Sequence, residues 1–247
     1  MQPPLLIQLS VDDPLPAPQQ AWGDQSPAPG LLAIGGGLSV ARLLQAYSQG
    51  CFPWYSAGQP VMWWCTNPRM VLGIDEFHLH RADQKLLKRL VKANRLDIRI
   101  DQDFLGTITQ CAHLPRKGQS GTWIVHDMIQ AYSQLHLHGH AHCVQAWVDG
   151  VLVGGLYAVS IGRAVFGESM FSVQPNGSKW ALAALVALCR AQQVGWIDCQ
   201  QSTSHLASLG AKPIPRDVFL NRVKEATRYP PLAWKFESIY WQHIGIH

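Results

Sequence analysis

Apolar and polar positions along this chain follow two periods, one helical and one of strands. In "GLLAIGGGLSVARLLQAYSQG", residues 30–50, Leu43, Leu44 and Tyr47 fall on one helical stripe. Ser39 is its N-cap and Gly50 its stop. Residues 81–93, "RADQKLLKRLVKA", predict an amphipathic helix. Leu86, Leu87, Leu90 and Val91 share one face, and Arg81, Lys85, Lys88 and Lys92 share another. A further helix is predicted over 126–138, closed by Gly139. The pattern then turns to strands: "AHCVQAWV" and "VLVGGLYAVS" are joined by Asp149-Gly150, a tight-hairpin dipeptide. "IGRAVFGE" continues this meander. Ser178 opens another helix, "KWALAALVALCRAQQ", and "GWIDCQ" reads as a short buried strand.

Helix, antiparallel meander, helix, strand is an α+β order with a central, mostly antiparallel sheet. Residues 1–30, rich in Pro, Gln and Asp, are expected to be extended and irregular. "CFPWYSAGQPVMWWCTNPRMVLGI" reads as a loop dense in Pro and Trp that leads into a strand. A boundary near Asn67–Pro68 divides a small N-terminal domain, 1–67, from a larger one, 68–247.

Composition narrows the function classes. The net charge of +4 mildly favours an anionic partner. The six cysteines form no CxxC pair, and no basic segment followed by an apolar run opens the chain. No apolar stretch reaches membrane-spanning length. A soluble, cytoplasmic, monomeric protein with reduced thiols is expected. P-loop, GxSxG and HExxH motifs are absent. The glycines at 35–37 precede a helix, but no strand-rich run is read before them, so no dinucleotide site is expected. The run "LHLHGHAHC" crosses a helix end, Gly139 and a strand start, so its four imidazoles should diverge rather than hold a metal. "ESMFSVQPNGSKW" has only Gly177 where an acetyltransferase would have a glycine-rich pyrophosphate loop. No cofactor and no metal are expected.

Four groups of residues could carry chemistry. Glu168 is a lone carboxylate in the apolar run "RAVFGESMFS"; it either points outward or meets a cation. Asp198 and Gln200 share one face of their strand. They are either a polar strand terminus or a pair that holds a nucleophile's N–H groups in line. The basic face of 81–92 is either a solvated helix surface or a track for phosphates. Trp54, Trp63, Trp64 and Trp123 either pack or stack on a nucleobase.

Several segments together are more specific: "GLLAIGGGLSVARLLQAYSQGCFPWYS", "WWCTNPRMVL", "FHLHR", "GTWI", "AYSQLHLHGHAH", "LVGGLYAVSIGRAVFGESMFS", "SKWAL", "IDCQ" and "HLASLGA". In these the chain resembles the leucyl/phenylalanyl-tRNA–protein transferases, in family order from about residue 30 to 220. Gly37 and Val173 depart from the family's usual residues. The resemblance implies a small N-terminal domain followed by an acetyltransferase-like (GNAT-like) domain. It also implies transfer of Leu or Phe, and less well Met, from aminoacyl-tRNA to an N-terminal Arg or Lys of acceptor proteins, feeding N-terminal-residue-dependent degradation. For that reaction the roles expected are that Gln200 meets the attacking amine, Asp198 holds Gln200, and Glu168 is the counter-ion of a cation; by resemblance, the remaining residues bind substrate. Trp54 and Trp123 lie against the terminal adenosine and its aminoacyl group. Met170, Leu182 and Ile197 line a pocket for the Leu or Phe side chain. Arg81, Lys85, Lys88 and Lys92 hold the acceptor stem. The alternatives are an acyltransferase of the same fold with another acyl donor, and a non-catalytic RNA-binding module.

Overall fold

The computed structural model describes residues 5–114 and 124–247. Strand β1 (Gln8–Leu9) lies parallel to β2 (Leu31–Gly35). Helix α1 (Val40–Ser48) follows, with the Ser39 hydroxyl accepting from the Arg42 N–H as the sequence predicts. Strands β3 (Phe52–Pro53) and β4 (Met62–Trp64) form a hairpin, and the four strands take the order β1-β2-β4-β3. This corrects two expectations. A strand does lead into Gly35–Gly37, and the Pro- and Trp-rich segment is paired at Phe52–Pro53 and Met62–Trp64, with residues 54–61 looping between them. Gly35, Gly36 and Gly37 all have positive φ; Gly35 packs against the Leu9 backbone and Gly36 against the Leu9 and Arg42 side chains. Trp63, a candidate for stacking on a base, is fully buried instead, its indole N–H bonded to the Gly35 carbonyl.

A second sheet of seven strands carries the rest. Its elements are β5 (Arg69–Gly73), α2 (Arg81–Lys92), β6 (Leu96–Ile100), α3 (Phe104–His113), α4 (His126–Leu137), β7 (Ala141–Val148), β8 (Val151–Ile161), β9 (Ala164–Ser172), α5 (Gly177–Ala191), β10 (Trp196–Gln200), α6 (Ser204–Ala207), β11 (Lys212–Ile214) and α7 (Arg216–Ala226). The strand order is β11-β5-β10-β9-β8-β7-β6. Every pairing is antiparallel except β9 with β10. The Asp149-Gly150 turn has positive φ at both residues, as a tight hairpin requires.

Each face of this sheet has its own core. On one, α1, α3 and α4 bring Tyr47, Phe104, Ile108 and Tyr132 against Tyr157 and Phe166. On the other, α2, α5 and the 3-10 segment Ser238–Ile244 bring Leu87, Trp180, Leu185 and Trp241 against Leu72, Val165 and Ile197. Helix α5 is buried along most of its length because "WALAALVAL" is apolar all round. Its first residue, Gly177, touches β8 so closely that a Cβ would stand 1.8 Å from the Val153 carbonyl oxygen. That contact seats the start of α5 beside the end of β9, where the Ser178 N–H donates to the Ser172 hydroxyl at 2.9 Å. Among the described residues no helix is long and apolar enough to cross a membrane.

Candidate active site

β9 and β10 are parallel neighbours for only two positions, Val165↔Ile197 and Phe166↔Asp198. Past these they part. On each side of the gap one residue drops out of register. In β9 the ladder to β8 passes from Gly167↔Ala158 to Ser169↔Tyr157 and leaves Glu168 over. In β10 the ladder to β5 passes from Asp198↔Val71 to Gln200↔Met70 and leaves Cys199 over. Bulges of this kind bend a strand and re-aim its side chains. The second one also puts Gln200 in the left-handed region, φ 52°. Asp198 and Gln200 therefore do not stand as simple alternate residues of a flat strand.

The re-aimed side chains meet across the gap. The Gln200 amide Nε2 donates to Glu168 Oε1 at 3.1 Å. The Tyr132 hydroxyl donates to Glu168 Oε2 at 3.5 Å, and the Tyr47 and Tyr132 hydroxyls hydrogen-bond each other. Asp198, fully buried, accepts the Gln200 backbone N–H at 3.0 Å. It also receives a bidentate pair from Arg69, Nε to Oδ1 at 2.7 Å and Nη2 to Oδ2 at 2.6 Å. The guanidinium lies between the rings of Phe52 and Phe219, 4.6 and 4.4 Å from their centroids. A buried ion pair of this kind adds little net stability, but removing one partner strands the other's charge.

Burial sets the protonation of this row. It pushes the Glu168 carboxyl up to about 8, with the hydrogen bond from Tyr47 opposing the rise and the charge of Asp198 adding to it. Burial first, then Glu168, holds Tyr47 and Tyr132 well above the usual phenol range, so both stay O–H donors. Burial also raises the Cys199 thiol to about 12, which removes the cysteine of "IDCQ" as a nucleophile. What remains is a carboxyl that titrates near neutrality beside a fixed amide.

The other expected residues fall into separate places. Met170, Leu182 and Ile197 share the core beneath α5. Trp54 is half-buried in the N-terminal sheet, packed edge-on against Trp64 at 5.5 Å. Trp123 lies outside the described residues. Arg81, Lys85 and Lys92 are exposed on α2, and Lys88 is half-buried. The histidines of 136–142 take separate partners: His136 the Ala141 carbonyl, His138 that of Gln134, His142 the Asp101 carboxylate. Sequence reasoning missed Arg69, Tyr47 and Tyr132. Arg69 carries the same signal that singled out Glu168, one charge in an apolar strand. Tyr47 was read only as a stripe residue, and nothing in the local pattern marks Tyr132.

A parted pair of parallel strands, with an amide and a carboxyl facing each other across the gap, is an arrangement able to hold a reacting group in place. The chain belongs to the leucyl/phenylalanyl-tRNA–protein transferase family. The family described as leucyl/phenylalanyl-tRNA protein transferase matches residues 71–224, and its N-terminal domain matches residues 36–67. A leucyl/phenylalanyl-tRNA–protein transferase of Polaromonas sp. is 52% identical over 236 residues, 96% of this chain and 92% of that one. One of Leptothrix cholodnii is 51% identical over 233 residues, 94% and 91% of the two chains. Among solved structures, L-PGS from Bacillus licheniformis overlays with a TM-score of 0.38 at 13% identity, covering 66% of this chain and 51% of that one.

Proposed function

We propose that this enzyme moves Leu or Phe, and less well Met, from its aminoacyl-tRNA to the N-terminal Arg or Lys of acceptor proteins, in the cytoplasm and as a monomer. The observation that carries the chemical reading is the Gln200–Glu168 bridge across the β9/β10 gap. The donor is an ester and the acceptor an α-amine. The amine nitrogen attacks the ester carbonyl, the amide forms, and the tRNA's 3′-oxygen leaves with the proton the amine gives up. Such an amine has a pKa of about 7.7–8.0, so much of it is neutral near pH 7–8. No covalent enzyme intermediate is needed; positioning alone lowers such barriers by up to about 7–11 kcal/mol.

Gln200 orients the amine, and Asp198, held by Arg69, fixes the backbone of Gln200. Glu168 is neutral in the empty site at neutral pH and ionises as a cation of the acceptor or donor arrives, since an adjacent positive charge lowers a carboxyl's pKa. Met170, Leu182 and Ile197 receive the Leu or Phe side chain. Such a pocket separates β-branched donors by only about 1–3 kcal/mol, so Ile and Val are disfavoured rather than excluded. Trp54 and Trp123 lie against the terminal adenosine. The basic face of α2 holds the acceptor stem through phosphates, which makes binding salt-dependent and weakly sequence-dependent. Residues 1–67 form the N-terminal domain and 68–247 the acetyltransferase-like one.

The test is a transfer assay with labelled Leu-tRNA and a peptide that begins with Arg, beside an Ala-start control, without ATP or coenzyme A. Label on the Arg peptide alone is the expected result. Bound tRNA with no transfer would leave an RNA-binding module.

A further inference from the structure

Cys51 and Cys65 face one another at the mouth of the β3–β4 hairpin. The ladder pairs Phe52 with Trp64 and Pro53 with Trp63, so one step further the register sets Cys51 opposite Cys65. Neither backbone N–H turns to the other residue. That of Cys51 donates to the Ala46 carbonyl and that of Cys65 to the Gly30 carbonyl, each at 2.8 Å. The two cysteines thus occupy a non-hydrogen-bonded cross-strand position, where Cα atoms stand about 4.5 Å apart and side chains come closest. A disulfide bridges Cα separations of about 4.4–6.8 Å. Both cysteines are reduced and fully buried, and the Cys51 thiol donates to the Gln49 carbonyl at 3.9 Å.

The pair is electrically asymmetric. The neighbouring Cys51 thiol, helped by the Arg69 and Arg216 guanidiniums, holds the Cys65 thiol below its usual value, while Cys65 and burial push Cys51 up. Arg216 Nη1 also donates to the Cys65 carbonyl at 3.1 Å. A thiol held below its usual pKa beside one held above it is the arrangement that oxidises and then resolves.

We propose that Cys51 and Cys65 are a modification site, a dithiol that a small hydroperoxide converts to an intramolecular disulfide, and that the bridged form lowers transfer through Arg69. The Cys65 thiolate attacks a peroxide oxygen, giving sulfenic acid and hydroxide from hydrogen peroxide. The Cys51 sulfur then displaces the sulfenic oxygen, which leaves as water with the Cys51 proton. Each sulfur gives up one electron, and the peroxide takes both. Full burial excludes a disulfide the size of oxidised glutathione, so the oxidant must be as small as hydrogen peroxide. The route to the site is short. Phe52 follows Cys51 in sequence and stacks on Arg69, which chelates Asp198, which holds Gln200. Closing the two sulfurs to bonding distance shifts Cys51, and with it the neighbouring Phe52 ring on which that guanidinium rests.

The activity half rests on the proposed transferase reading; the bridge does not. Purified full-length protein is treated with hydrogen peroxide or, separately, with oxidised glutathione. Peptide mapping without reduction and the Leu transfer rate are then read, before and after dithiothreitol. The expected result is a Cys51–Cys65 bridge from peroxide only, a several-fold loss of rate, and recovery on reduction. Cys51→Ala and Cys65→Ala should keep the untreated rate and resist the loss. Peroxide that leaves both thiols unbridged while Cys199 oxidises overturns the site, and a bridge with an unchanged rate overturns the coupling. If untreated protein transfers nothing, the transferase reading fails, and mapping still decides the bridge.

Discussion

Replacing Glu168 by Gln tests the electrostatics of the site through stability alone. The carboxyl titrates near 8 in the folded chain against an ordinary 4.5. Between these values the folded state binds a proton that the unfolded state does not, so wild-type stability falls as pH rises through the window. Each unit is worth about 1.4 kcal/mol, and the change between pH 6 and 8.5 is about 2.5 kcal/mol for a fully realised shift, since the carboxyl is half ionised near pH 8. Water at this half-buried group screens part of that, which leaves roughly 1–2 kcal/mol. Glu168→Gln does not titrate, and its amide oxygen still accepts from the Gln200 Nε2. The variant should therefore gain on wild type by that amount between about pH 6 and about pH 8.5. Urea unfolding of both proteins at the two pH values measures the gain. An advantage that does not grow with pH would refute the raised carboxyl.

Three further outcomes follow from the same contacts. Arg69→Met leaves the Asp198 charge in the core without its cation and should cost about 3–5 kcal/mol in urea unfolding; the double variant Arg69→Met/Asp198→Leu should recover part of that loss. Tyr132→Phe removes a hydrogen bond that lowers the Glu168 pKa, so the Glu168-dependent limb of the pH–rate profile should move to higher pH, and a profile that stays in place would remove Tyr132 from the row. Gln200→Ala leaves the proposed phosphate-binding face of α2 untouched, so tRNA affinity should hold while transfer falls.

The elements legible in the sequence are those whose period is long and uninterrupted. Arg81–Lys92, His126–Leu137 and the Asp149-Gly150 hairpin stand close to where the pattern puts them. Leu31–Gly35 was lost because five residues ending in glycines carry no alternation, and its pairing with β1 and β4 is long-range. Leu96–Ile100 is an edge strand whose apolar residues are only half-buried, a weak signal. At the site, Asp198, Gln200 and Glu168 were marked by type and by resemblance, but their geometry was not legible. A bulge at Glu168 and another at Cys199 depend on register with β8 and β5, which no local window contains. Arg69, 129 residues away from Asp198 in sequence, belongs to the same class of information.

The account's central claim is that the β9/β10 gap positions an amine for attack, and single-turnover transfer by Gln200→Ala tests it most directly. Leu-tRNA binding is measured on the same preparation. The account predicts a fall in transfer rate of about 10²-fold with tRNA affinity nearly unchanged. A rate close to wild type, or losses of rate and affinity in equal measure, would contradict it.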